Sequence, residues 1–298
     1  MRENIITDIR RAALLPRRTD AFVRRFLRTI EDAVLCAAPW LAAFFTFGVL
    51  LFLVGYILVN GIPYLQLSLF ALKYNTKNAS LLPALITTVF MVALSLFIAV
   101  PPGLFTAIYL VEYATRGNRL VQLVRMTTET LAGIPSIVYG LFGALFFVSW
   151  LGWGYSLLAG AFTLSIMILP LIIRTAEESL NSVPDTYREG AFGLGAGRVR
   201  TVFRVVLPAA APGILAGVIL AVGRIVGETA ALIYTAGTVA QVPRTPLASG
   251  RTLAVHMYAL SGEGLYTGQA YATAVVLLIV VIGINTLSAA LVKRIEKG

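Results

Sequence analysis

Two charged residues stand where the chain is otherwise apolar. Arg224 and Glu228 lie in Gly223-Arg224-Ile225-Val226-Gly227-Glu228-Thr229, inside a run of apolar and small residues from Leu207 to Ala236. A charge at the middle of such a run costs about 2.5–3.5 kcal/mol on membrane-insertion scales. A spacing of four places both groups on one helix face. Gly213, Gly217, Ala221, Ala231 and Thr235 fall on or near the same face. Small residues there either leave open volume beside the charges or let another helix approach closely. The plainer reading is a self-neutralised pair that staples helices together. The chemical reading is an oxyanion site, in which Glu228 orients the planar fork of Arg224. Ionisable groups at that depth are functional by default, so the second reading takes precedence.

A second pair, Arg174 and Glu177, is spaced by three at the end of another apolar stretch. Alone, Arg174 reads as a membrane-edge anchor whose long stem snorkels to the headgroups. The remaining inventory excludes several chemistries. One histidine, His256, and one cysteine, Cys36, leave no multi-histidine metal cluster, no cysteine zinc site and no internal disulfide. No Gly-Lys dipeptide occurs, so there is no P-loop. The glycine run Gly193 to Gly197 has no predicted strand before it and carries no nucleotide-binding weight.

These charges need elements to hold them. Of 298 residues, 58% are hydrophobic and only 13% charged, with a mean hydropathy of +0.84. Soluble domains carry about a quarter charged residues, so the composition points to an all-α polytopic membrane protein. Six segments are long and apolar enough to span, near Val34–Val59, Leu82–Val111, Leu131–Trp150, Tyr155–Ile173, Leu207–Ala236 and Ala270–Val292. Pro101, Pro102 and Pro212 fall inside spans, where neighbours must satisfy the freed carbonyls. Leu151-Gly152-Trp153-Gly154 reads as a tight turn between antiparallel spans. Residues 1–33 read as an amphipathic arm on the inner leaflet, with Ile5, Ile6, Ile9, Phe22, Val23, Phe26, Leu27 and Ile30 recurring among arginines. Residues 34–298 form one transmembrane domain. The apolar stretch from Val34 is too long for a cleavable signal.

The net charge of +10 has a topological cause. With the N-terminus cytoplasmic, only Lys73, Lys77, Arg244 and Arg251 fall outside, and Arg224 lies within the membrane; the other nineteen basic residues all fall inside. That asymmetry places both termini in the cytoplasm and accounts for the charge without nucleic acid.

The long inner segment, about 174–206, is predicted to hold a short helix, a bend and a second helix. Asp185 is placed to cap the first, and Gly193, Gly195 and Gly197 to end it. A second amphipathic piece leads to Leu207-Pro208. Such a segment is either a solvated connector or a knob that docks another protein.

Glu189-Gly190-Ala191, then Gly195, then Val206-Leu207-Pro208 resembles the EAA loop of ABC-importer permeases: Glu-Ala-Ala, a glycine after three further residues, and an apolar-Leu-Pro end. Gly190 replaces the first alanine of that pattern and weakens the helix locally. Ala132-Gly133-Ile134-Pro135-Ser136-Ile137-Val138-Tyr139-Gly140-Leu141-Phe142-Gly143, Leu169-Pro170-Leu171-Ile172-Ile173-Arg174-Thr175-Ala176-Glu177 and Gly223-Arg224-Ile225-Val226-Gly227-Glu228-Thr229-Ala230 are similar to segments of phosphate-importer permeases. Gly-Glu-Thr-Ala and the segment order are closer to the PstA type than to its PstC-type paralogue. Ala231 stands where a proline is common in that family.

The resemblance implies a type I ABC-importer permease fold and a subunit forming half of an ATP-driven phosphate pathway. It implies a PstC-type permease partner, a PstB-type ATPase dimer that holds ATP and magnesium, and an extracytoplasmic PstS-type binding protein. The chain itself would carry no cofactor and no enzymatic activity. Carried over by position, Arg174, Glu177, Arg224 and Glu228 line the phosphate route, and Glu189, Gly190, Ala191 and Gly195 couple to the ATPase. The carboxylates would keep the arginines from holding phosphate too tightly to release it. The setting would be the inner membrane. The alternatives are the PstC-type paralogue, a permease for another oxyanion, an ion-coupled secondary transporter, or a membrane enzyme, for which the catalytic equipment is scant.

Overall fold

The computed structural model describes residues 18–75, 78–114, 117–264 and 266–295. Among these there are helices and no strand. Arg2, Ile5, Ile6, Ile9, Arg10, Arg11, Arg17, Lys77, Arg116 and Lys297, used in the charge and arm readings, lie outside the described residues. The chain divides into two compact units, Met1–Tyr56 and Ile57–Gly298. The described part of the first, residues 18–56, lies in α1 (Arg18–Gly61), whose apolar side chains Trp40, Phe44, Phe45 and Phe52 are exposed. That surface suits lipid rather than water.

In the second unit α2 (Leu82–Ile108) ends in a π turn, Tyr109–Tyr113. α3 (Arg119–Ala132) is followed by α4 (Ser136–Gly143), which continues as a π-helical stretch, Ala144–Trp150. α5 (Leu157–Asn181) leads to α6 (Asp185–Gly193) and the short α7 (Arg198–Thr201). A π turn, Val202–Val206, joins α7 to α8 (Leu207–Gly227). α9 (Ala230–Thr235), α10 (Leu253–Glu263) and α11 (Thr267–Ile295) complete the unit.

Among the described residues five helices are long and apolar enough to cross a membrane, and six if the bent pair α3–α4 counts as one span. The expected third span is therefore not one straight helix. It bends by 102° at Gly133-Ile134-Pro135. Pro135 cannot continue a helix and drives the residue before it out of the helical region. The expected fifth span also differs. The helix stops at Gly227, Glu228 is extended at φ −73°, ψ 129°, and the chain restarts as α9. The second piece of the loop, which leads to Leu207-Pro208, runs through a π turn into the same span.

α5 is the central element, two-thirds of its most apolar window being buried, and it packs most extensively against α2. Met91, Leu164, Met167, Ile168, Ile172, Ile225 and Leu232 form the main core. Between apolar helices in lipid the drive comes from close packing rather than from water release. Gly217 shows the consequence. A Cβ there would overlap Thr175 of α5, and one on Gly213 would meet Ser179. Of the two expectations for this small-residue face, close helix approach is realised and open volume is not. Hydroxyls along the buried faces bond back into their own helices, as Thr163 does to Ala159 and Ser165 to Ala161.

Candidate functional site

The break at Glu228 determines the site. Arg224 occupies the last turn of α8, where a cation complements the unpaired carbonyls. Glu228 is outside the helix, and its Oε1 accepts from the Ala231 amide at 3.0 Å, capping α9. The expected shared helix face of Arg224 and Glu228 is thus absent, because the chain leaves helical geometry between them. No ion pair joins them among the described residues. The stapled pair is replaced by a capping carboxylate and a half-buried arginine without a carboxylate partner.

The two discontinuities come together. α4 and α9 touch backbone to backbone: a Cβ on Gly140 would lie 2.8 Å from the Ala231 Cα. The Tyr139 hydroxyl donates to the Leu131 carbonyl at 2.7 Å, closing the gap left by the bend at Pro135. Arg224 lies within electrostatic reach of Tyr139. A cavity of about 600 Å³ opens beside the breaks, lined by Ile137, Thr229, Ala230, Ile233, Tyr234, Met257, Tyr258 and Ser261 among others. Its lining carries hydroxyls and no charged side chain. Irregular backbone is tolerated at membrane depth only where it is buried in protein or lines a cavity, and both conditions hold here.

Arg174 and Glu177 are likewise not partnered as their spacing suggested. Arg174 Nε binds Glu178 Oε1 at 3.0 Å, with both side chains well exposed. Glu177 turns the other way and meets Arg125 of α3 at 2.5 Å. The competition is geometric: α3 supplies a second guanidinium on the Glu177 side, and Arg174 takes the carboxylate one turn on. Four residues of consequence therefore went unread in the sequence: Arg125, Tyr139, Glu178 and Glu112, the last described below. Glu178 was within sight, because i,i+4 was an equal alternative to i,i+3. The others depend on chain separations that no local spacing shows.

The predicted loop helix is present as α6 and ends at Gly193 as expected. Gly195 follows at φ +81°, a left-handed conformation that favours glycine. Asp185 does not cap: Pro184 is the N-cap residue, and the Asp185 carboxylate instead accepts from Arg188 Nη1 at 3.1 Å. Glu189, Gly190 and Gly195 are exposed and Ala191 half-buried. Around them Tyr187, Phe192, Leu194 and Val199 are also exposed, Leu194 to 92%. Contiguous exposed apolar side chains of this kind exceed what a solvated connector needs. Arg188 itself is turned inward, to Glu112 at the end of α2, with Nη2 to Oε1 at 2.8 Å and Nε to Oε1 at 3.1 Å.

Away from these charges in sequence, His256 of α10 is fully buried and Arg251 is 5% exposed. Arg251 stacks on the Tyr74 ring at 4.7 Å, and the His256 ring meets Tyr74 edge-on at 6.1 Å. Burial, followed by the charge of Arg251, pushes the His256 pKa down to about 3, so the imidazole is neutral. Among the described residues no group of three or more His, Cys, Asp or Glu is placed to hold a metal.

Comparison with known proteins extends this picture. Residues 99–298 match the family described as "Binding-protein-dependent transport system inner membrane component". The chain is 33% identical over 255 residues to the probable ABC transporter permease protein YqgI of Bacillus subtilis (strain 168), covering 80% of this chain and 86% of that one. It is 37% identical over 211 residues to the phosphate transport system permease protein PstA of Pasteurella multocida (strain Pm70), covering 70% and 75%. Among solved structures, a chain of a bacterial alginate ABC transporter in complex with an alginate-bound periplasmic protein superposes with a TM-score of 0.68 at 17% identity, covering 92% of this chain and 99% of that one. A chain of the inward-facing MetNI methionine ABC transporter superposes at 0.58 with 22% identity, covering 70% and 93%. At these identities the structures speak for the fold alone, which is that of type I ABC-importer permeases.

Proposed function

This chain belongs to the family of binding-protein-dependent transport system inner membrane components, and from that premise we propose that it is the PstA-type permease of an ATP-driven phosphate importer. As a member of the family it is a multi-pass membrane transport subunit rather than an enzyme, working with a separate ATPase and a substrate-binding protein. The finer assignment rests on relatives such as the Pasteurella multocida phosphate permease and on the chemistry of the break in the fifth span. The partners would be a PstC-type permease, a PstB-type ATPase dimer and a PstS-type binding protein. The setting would be the inner membrane with both termini cytoplasmic, as the charge distribution implies.

The observation that carries the reading is Arg224: a half-buried arginine in the last turn before a helix break, without a carboxylate partner among the described residues, while beyond the break Thr229 and Ala230 line a neutral hydroxyl-bearing cavity. Guanidinium offers two parallel donors that match two oxygens of phosphate. Hydroxyls add hydrogen bonds without adding charge, which keeps the ion from being trapped. Glu228 then has two duties: one oxygen caps α9, and its negative charge limits how firmly Arg224 holds the anion. Arg174 and Glu177, on the inner part of α5, would meet the ion on its way to the cytoplasm. α6, with Glu189, Gly190, Ala191 and Gly195, would fit a groove on the ATPase, its exposed apolar tip being buried on docking. The test is phosphate uptake and phosphate-stimulated ATP hydrolysis by the four-component complex in liposomes, with sulfate as competitor. Phosphate uptake untouched by excess sulfate supports the assignment. Uptake of sulfate in place of phosphate points to a permease for another oxyanion.

A further inference from the structure

Arg188 spends all five of its N–H donors. Nε and one Nη2 hydrogen go to Glu112 Oε1, at 3.1 and 2.8 Å. The other Nη2 hydrogen goes to the Leu180 carbonyl at 3.0 Å, and Nη1 reaches the Val183 carbonyl at 2.8 Å and Asp185 Oδ1 at 3.1 Å. Leu180 and Val183 lie at the C-terminal end of α5, where carbonyls lack helical partners. Glu112 lies in the π turn that ends α2. One side chain of α6 therefore fastens the ends of two spanning helices, which are also the pair that packs most extensively. The Arg188 and Glu112 side chains are only 14% and 8% exposed, so salt and water weaken the pair little. The opposite end of α6 is closed by backbone hydrogen bonds, from the Gly195 amide to the Phe192 carbonyl at 2.9 Å and from the Ala196 amide to the Ala191 carbonyl at 3.0 Å, before the chain enters α7 and α8.

We infer that Arg188 and Glu112 are the positioning residues that pass motion of α6 to the transmembrane core, as a rigid link to α2 and α5. The inference rests on the proposed coupling role of α6. Force applied at the exposed face of α6 reaches the α2–α5 pair through a saturated guanidinium. The span that bears Arg224 is reached by another route, through the core and through the contact of α6 with α7 and the π turn Val202–Val206. Loss of the link leaves α6 docked on the ATPase but joined to α5 only by residues 182–184 and no longer held rigidly to the end of α2.

The test is the phosphate transported per ATP hydrolysed by the complete complex in liposomes. Glu112→Gln keeps an acceptor but removes the charge; Arg188→Lys keeps the charge but cannot serve three helix ends at once. Both should assemble with the ATPase and hydrolyse ATP, with the transport ratio reduced severalfold. In a Cys36→Ser background, the pair Glu112→Cys and Arg188→Cys should be uncoupled when free. Joining the two thiols with a bismaleimide about as long as the side chains it replaces should restore the ratio. A wild-type ratio in Glu112→Gln and Arg188→Lys overturns the inference. So does a crosslinked pair that assembles and stays uncoupled, whether or not the single variants assemble. If the wild-type complex moves a different anion, the substrate assignment fails, but the ratio for that anion still tests the link.

Discussion

Glu228 Oε1 accepts a hydrogen bond from the backbone amide of Ala231 at 3.0 Å, across the point where the fifth span is broken. The carboxylate thus starts α9 and holds the break open beside Arg224. Two substitutions separate its duties. Glu228→Gln retains an acceptor and should assemble nearly as well as the native chain. Glu228→Ala loses the cap and should destabilise the subunit by about 0.5–2 kcal/mol. Thermal unfolding of the purified complex measures both, and equal melting of the two variants would remove the capping role.

Glu189 is exposed on α6, so its replacement alters a surface and not a core. Glu189→Lys should change subunit stability by no more than about 0.5 kcal/mol while weakening ATPase association or uncoupling hydrolysis. Copurification with the ATPase and uptake in liposomes decide the matter. Normal values for both would take Glu189 out of the coupling surface.

His256 makes stability depend on pH. Its folded pKa lies near 3, below the ordinary value of 6.5, because burial and Arg251 disfavour the cation. Unfolded chains bind the proton near pH 6.5 and folded chains do not, so stability is complete above that value and falls as the pH drops toward 3. At pH 5 the loss is about 2 kcal/mol. His256→Gln should flatten this part of the pH dependence of thermal unfolding between pH 7.5 and 5. An unchanged dependence would mean the imidazole is not held neutral.

Much of the fold was legible because it follows from apolar length. The second, fourth and sixth spans fall where the hydropathy put them, and α6 ends at Gly193 as the glycines required. The breaks were less legible. Pro135 announces one of them, yet a continuous apolar reading carries over it. At Glu228 no proline intervenes, and the helix ends because a carboxylate finds an amide three residues on. Pairing was least legible of all. Glu177 and Glu178 both lie within reach of Arg174 by spacing, and the choice is made by Arg125 from another helix. Arg188 and Glu112 are 76 positions apart, a relationship that only the folded chain displays.

The topology also predicts a direct outcome. Gly197 sits between the fourth and fifth spans, in the segment that the proposed topology puts on the cytoplasmic side. A single cysteine at position 197, in a Cys36→Ser background, should resist an impermeant thiol reagent in intact cells and react after permeabilisation. Labelling from outside would invert the topology and end the docking role of α6.

Arg224 carries the central claim. It forms no ion pair among the described residues, so its removal strands no buried carboxylate, and Glu228 stays occupied by the Ala231 amide. The measurement is complex yield and phosphate uptake for Arg224→Gln, alone and with Glu228→Gln. A charge-assisted hydrogen bond is worth about 1.5–3 kcal/mol, so uptake should fall by about tenfold to a hundredfold or more while assembly stays normal. Neutralising Glu228 as well should leave uptake low, because the anion has still lost its guanidinium. Near-native uptake by the single variant, or uptake restored in the double variant, would contradict the account and make Arg224 a structural charge.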